Sequence, residues 1–325
     1  MAKTQGYRAT FLGTKLKVGL PVPHAALRAD FALAQGSKGY GLLHYPHHSI
    51  QLSISRKMPV FTAVNIDGMR FRKLLRKSLF PSGSDQWRVD ARAADFQWGE
   101  ELYKVPGSDY DKGHLVKRED PQWGDDDEEA AEGSLSTFFF TNCAPQVADL
   151  NRREWRYLED YILKKESATH KQRVTVMTGP VLADDDLVLA TPVNGQTVKL
   201  PGYFWKVVYF TNDNKTLRRV GFLMGQKELL LTKGIGRPAA GTRGPVSLRL
   251  FEDYEDAATY QVNLPLIESL TGLVFSPAED AYQDERASKI VLKEVEITAT
   301  RGMKAAEEAS DGALPANFEL EGLVL

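Results

Sequence analysis

The chain has 325 residues, 42% hydrophobic and 26% charged, which is enough apolar content for a packed core and excludes a globally disordered chain. A formal net charge of −2 excludes a uniformly basic nucleic-acid coat, and no apolar run approaches the ~20 residues of a membrane-spanning helix. The single cysteine, Cys143, excludes an internal disulfide.

The opening "MAKTQGYRATFLGTKLKVGL" lacks the apolar stretch and small-residue cleavage site of a secretory signal. The expected location is therefore cytoplasmic, or outside the cell by a signal-independent route, and no membrane partner is expected. "HHSIQLSISRKMPVFTAVNIDG" (47–68) alternates around Ile50, Leu52 and Ile54, then runs apolar to a turn, which predicts one or two strands. "MRFRKLLRKSLF" carries Arg70, Arg72, Lys73, Arg76 and Lys77 with no acid among them. It reads as a solvated face or as a local patch for a polyanion. The acids gather in "DDDEE" (125–129), read as a solvated loop, with competition against nucleic acid for the basic groove as the sharper alternative.

"GSLSTFFFTNCAPQ" predicts a buried strand over Phe138–Phe140 that leaves the sheet at Asn142. "DLNRREWRYLEDYILKKES" predicts an amphipathic helix with Leu150, Trp155, Leu158, Ile162 and Leu163 on one stripe. "RVTVMTGPVL", "GYFWKVVYF" and "RRVGFLMGQ" predict further strands, and "LPLIESLTGLVF" a short helix running into a strand. Near-continuous apolar strands imply a sheet covered on both faces, in a mixed α/β or α+β order. "AEDAYQDERASK" reads as a boundary, and the tail beyond it as partly loose.

The chemistry concentrates in "GSDYDKGHLVKRED" (107–120), where Asp111, Lys112, Gly113 and His114 are adjacent. Gly113 removes a Cβ and permits a tight turn and close approach of a substrate. Asp111 can orient the imidazole or anchor the turn, and Lys112 can meet a phosphate oxygen. An imidazole of ordinary pKa ~6.5 suits proton removal from water. The four together fit phosphodiester hydrolysis, in which cations stabilise charge developing on phosphate. A second polar set, Asn142, Gln146, Asn151 and Glu159, runs from a strand end into the helix. It suits Mg²⁺, which takes oxygen ligands and keeps several waters. Glu159 lies one long step of ~12 Å along the helix from Asn151, which favours Glu159 acting through water. Asn151 also fits a helix N-cap, with Glu154 completing a capping box, and the two roles are compatible.

"DKGHLV", "FFTNCAPQ" and "LNRREWRYLE", in this order and at these intervals, resemble the DNA/RNA non-specific endonuclease family. Weaker echoes, "FTAVNIDG", "QWRVD", "TGPV", "GYFWKVVY", "GFLMGQ" and "LTGLVF", extend the resemblance over residues 48–276. It implies an α+β ββα-metal nuclease fold, with a central, mostly antiparallel sheet flanked by helices. It leaves 1–47 and 277–325 as extensions that could serve docking, inhibition or oligomerisation. The resemblance further implies His114 as general base, Asn151 as direct ligand of Mg²⁺ (Mn²⁺ as alternative) and Glu159 holding the metal through water. Asn142 and Asp111 would support the loop and the imidazole. Arg88, Arg152 and Arg156 stand as substrate-binding cations.

Three positions depart from the family pattern. Lys112 replaces the usual Arg before Gly-His, Asp85 stands where an Arg often precedes Trp87, and Leu163 takes the place of an Arg one turn after Glu159. The implied activity is cleavage of DNA and RNA without strong base preference, leaving 5′-phosphates. The implied settings are an exported toxin, a phage-defence effector, or repair and salvage. An inhibitor or immunity protein and a homodimer are the partners left open. Two rival readings are a thiol–imidazole hydrolase using Cys143 with His114, and a nucleic-acid-binding module of the same fold without turnover.

Overall fold

The computed structural model describes residues 6–33, 41–106, 108–148, 158–159, 162, 171–211, 215–239, 256–294, 318–321 and 323–325. Among these, the main sheet has ten strands. Strands β1 (Leu43–Tyr45), β2 (His48–Leu52) and β3 (Pro59–Asp67) form one flank. A separate ribbon follows, made of β4 (Tyr110–His114) and β5 (Cys143–Val147). The main sheet resumes with β6 (Arg173–Val181), β7 (Tyr203–Phe210), β8 (Arg218–Gly225), β9 (Thr259–Val262), β10 (Ser288–Glu294) and β11 (Phe318–Glu321). The spatial order is β11-β10-β9-β8-β7-β6-β3-β2-β1, with Glu279–Asp280 joining β8 in parallel and the other pairings antiparallel. The architecture is α+β with a mostly antiparallel sheet, as expected. The flanking stretches 1–47 and 277–325 contribute β1, β10 and β11 to this same sheet.

Alternation along the central strands sorts their side chains onto two covered faces. Trp205, Val207 and Tyr209 face one core with Phe11, Trp123, Leu223 and Phe275. Val208 and Phe210 face another with Val64, Val176, Phe222, Leu158 and Ile162. Leu158 and Ile162 therefore dock as the helix stripe predicts; its other members, Leu150, Trp155 and Leu163, lie outside the described residues. Gly179 of β6 shows how tight the centre is. A Cβ there would sit 2.4 Å from the Val60 carbonyl and 2.8 Å from the Trp205 ring.

Two local expectations change. Phe138 and Phe140 are buried, but they lie in short turns, and the strand begins only at Cys143. The backbone pairs there with Arg88 instead of entering the sheet, and Asn142 bonds back to Thr137. The acidic run is the start of α1 (Asp127–Leu135). Asp126 caps it by accepting from the Glu129 N–H at 2.8 Å, and the acids of the first turn oppose the helix dipole. Arg70 reaches Asp125 at 2.7 Å and Arg72 reaches Asp127 at 2.8 Å, so these acids engage part of the basic stretch directly.

Gly179→Ala should destabilise the protein by about 1–3 kcal/mol through overpacking. Urea unfolding followed by tryptophan fluorescence measures this, and an unchanged midpoint would refute the packing argument.

Candidate active site

The β4–β5 ribbon is short, yet it is fastened at both ends. At one end the Asn142 amide, fully buried, makes three hydrogen bonds. Its Oδ1 accepts from Val116 N at 3.0 Å, and its Nδ2 donates to Val116 O at 2.9 Å and Thr137 O at 3.0 Å. At the other end Gln226, just past β8, accepts from Val147 N at 2.8 Å and donates to Pro145 O at 3.1 Å. Gly113 is demanded by packing, since a Cβ would fall 2.1 Å from the Gln146 amide oxygen.

Register splits the "DKGH" residues between the two ribbon faces. Gly113 pairs with Ala144 and Asp111 with Gln146, while Lys112 pairs with Pro145 and His114 with Cys143. Ala144 rests with Leu115 on Phe204 and Met224, so its face looks toward the main sheet. His114 and Lys112 share the other face. The imidazole lies 4.6 Å from the Trp87 ring and 4.8 Å, edge-on, from Phe138. The Lys112 ammonium sits 6.0 Å from the same Trp87 and is paired with Glu100 at 3.1 Å. Aromatic neighbours thus frame the ring, whereas the sequence assigned part of that task to Asp111, which stands on the opposite face.

Burial, and then the nearby charges of Arg76 and Arg118, lower the His114 pKa to about 3. Its Nε2 is buried and has no hydrogen-bond partner among the described residues. The imidazole is therefore neutral near pH 7 and can accept a proton. Arg76 is steered by its ion pair with Asp85. Arg118 lies beside Glu119 at 3.3 Å.

Glu159 stands on the sheet side. Its Oε1 accepts from the Lys206 ammonium at 3.0 Å. Asp120 is buried, and its pKa is raised to about 7 by burial, with Lys206 and Lys117 pulling down and Glu159 pushing up. Residues 117–120 thus run from cations near His114 to an acid near Glu159. Asn151, Arg152 and Arg156 lie outside the described residues. Arg88 turns its guanidinium onto the Phe139 ring and the Leu135 carbonyl. It lines a cleft with His44, Asp90 and Glu132 that shares no lining residue with the neighbours of His114.

Trp87, Arg76, Arg118 and Lys206 escaped the sequence reading as site residues. A usable signal existed for Lys206, a lone cation inside the apolar strand "YFWKVVYF". For Arg118 it was adjacency to the "DKGH" turn. Arg76 belongs to the acid-free basic stretch already read as a possible polyanion patch, but its closeness to His114 had no mark in the sequence.

A divalent metal fits the chemistry of the donors. Gln146 is completely buried, and both its amide atoms lack partners among the described residues. The Gln146 amide oxygen and, separately, the Glu159 carboxylate are hard oxygen donors of the type a hydrated hard cation uses. Among the described residues no group of three or more His, Cys, Asp or Glu forms a metal cluster.

Fold and site define an α+β protein with a histidine on a two-stranded ribbon, its Nε2 buried, and a glutamate held by a lysine of the main sheet. A profile of the DNA/RNA non-specific endonuclease family matches residues 32–281, and the chain belongs to that family. An uncharacterised protein, y4fB of Sinorhizobium fredii, is 31% identical over 315 residues, covering 91% of this chain and 43% of the relative. A nuclease of Nostoc sp. is 28% identical over 172 residues, covering 52% of this chain and 51% of the relative. Human mitochondrial endonuclease G is 33% identical over 108 residues, covering 31% of this chain and 34% of the relative. The chain thus spans about half, or less, of the length of these relatives. A solved EndoG/EndoGI complex matches at a TM-score of 0.47 with 18% identity, covering 72% of this chain and 84% of the matched one.

Two predictions follow from the electrostatics. A folded-state pKa near 3 lies below the usual ~6.5, so the stability tied to an uncharged His114 is present above ~6.5 and is lost as pH falls below it. In the metal-free protein the His114 ring resonances, assigned with H114Q, should stay fixed from about pH 8 to about pH 5. A midpoint near ~6.5 would show an ordinary solvated imidazole. The Cys143 thiol is pushed up to about 12 by burial and lies 3.2 Å from the Tyr103 hydroxyl. It is therefore not a thiolate, and C143S should keep any hydrolytic activity within about threefold. Its complete loss would revive the thiol reading.

Proposed function

We propose that the protein is a metal-dependent endonuclease that hydrolyses phosphodiester bonds in DNA and RNA with little base preference. The observation that carries this reading is His114: a neutral imidazole, framed by Trp87 and Phe138, with a buried unpartnered Nε2 in the field of two arginines. Such a ring accepts a proton from an attacking water, and the cations favour an anion beside it. A bound phosphodiester would offset the Arg76 and Arg118 charges, the lesser causes of the low His114 pKa, while burial, the larger cause, remains.

Mg²⁺, with Mn²⁺ as alternative, would be held directly by Asn151 and through water by Glu159; when bound, it stabilises negative charge on the phosphate and the leaving oxygen. Trp87 and Phe138 keep the imidazole in one orientation. Asn142 acts as a brace, because its amide is spent on Val116 and Thr137. Lys112, held by Glu100, adds positive potential on the His114 face. Arg152 and Arg156 would supply further phosphate contacts. Contacts of this kind read the backbone and leave base identity open. The products would carry 5′-phosphates.

Plasmid relaxation and RNA degradation with Mg²⁺, repeated with EDTA, test the reading. Cleavage should need the metal, and H114A should slow it by about 10²–10⁴-fold while nucleic-acid binding persists. Binding without cleavage in either Mg²⁺ or Mn²⁺ would instead identify a module without turnover.

A further inference from the structure

Lys206 is an unusual residue for its position. It belongs to β7, a central strand, and its side chain is 1% exposed. It shares a strand face with Val208 and Phe210, and its cross-strand neighbours are Thr178 and Phe222. An ammonium taken out of water in an apolar setting is tolerated only with well-placed anionic partners. Lys206 meets the carboxylate of Glu159, itself 10% exposed, at 3.0 Å, and the buried Asp120 lies within its field. Phe222 packs in the same cluster as Leu158 and Ile162, which flank Glu159 in the chain. The segment bearing Glu159 is therefore pinned to the sheet by its apolar neighbours, and its charged tip is pinned by the lysine. Only Oε1 is engaged with Lys206, so Oε2 can serve a second partner.

We infer that Lys206 is a positioning residue for Glu159, fixing the carboxylate against the sheet so that it meets the hydrated metal in one geometry. The inference rests on the metal-linked role proposed above for Glu159. A glutamate left to solvent samples many rotamers; one clamped to a rigid strand presents its second oxygen in a single place. Supporting partners of this kind govern metal affinity through orientation.

The test uses the full chain and Mn²⁺ alone as probe, with the dissociation constant measured by electron paramagnetic resonance without nucleic acid. K206M should weaken Mn²⁺ binding by about 10–100-fold. K206R, which keeps the charge, should recover part of the loss. E159Q should weaken binding similarly, and K206M/E159Q should be no weaker than E159Q, because both act through one carboxylate. Should K206M fail to fold with an unpaired buried acid, the double variant, which removes both charges, carries the comparison. Folded K206M with wild-type affinity overturns the inference, as does a double variant clearly weaker than E159Q. Loss of the underlying reading looks different: E159Q would then bind Mn²⁺ like the wild type, whereas failure of the inference alone leaves E159Q impaired and K206M unaffected.

Discussion

One buried amide holds the candidate site together. Asn142 closes three hydrogen bonds at the point where β5 begins and the chain leaving His114 turns away. Each of those backbone groups, left unpaired out of water, would cost about 1–3 kcal/mol. The ribbon is only five residues long on each strand and does not belong to the main sheet, so it cannot hold its own position by sheet pairing. Asn142 at one end and Gln226 at the other supply what the missing neighbours would have supplied. A catalytic imidazole needs its position fixed within a fraction of an ångström, and polar clamps with defined geometry fix position better than apolar contact does.

Burial then acts with opposite results on the two sides of this ribbon. His114 lies among aromatic rings, and burial strips its charge and makes it an acceptor. On the sheet side Lys206 pairs with Glu159, while burial raises the pKa of the neighbouring Asp120 to about 7.

Much of this was legible in the sequence, for identifiable reasons. The main strands and the Leu158–Ile162 docking stripe follow from apolar runs and helical spacing, which survive in any context. The "DKGH" segment stood out because an acid, a base, a glycine and an imidazole in a row have no use in a core, and "TNCAPQ" because a polar run follows an apolar one. The error at Phe138–Phe140 came from treating burial as evidence of a strand. Phe138 is buried against His114 and Phe140 against Trp87, in turns held by Arg88 and Asn142. The acidic run was misread as a loop because its partners, Arg70 and Arg72, are remote in sequence.

The departures from the family pattern are best understood as relocated charge. Asp85 stands where an arginine was expected, which on sequence alone removes a cation from the site. In the fold, Asp85 instead binds Arg76, and that guanidinium contributes to the field at His114. Lys112 lacks the two-pronged grip of an arginine, yet Glu100 and the faces of Trp87 and Tyr103 confine its ammonium to one place. In both cases an acid aims a cation: Asp85 holds Arg76, and Glu100 holds Lys112. What phosphate binding requires is positive potential at a point in space, and that potential can be delivered by residues 9 positions away in the chain as effectively as by the expected one.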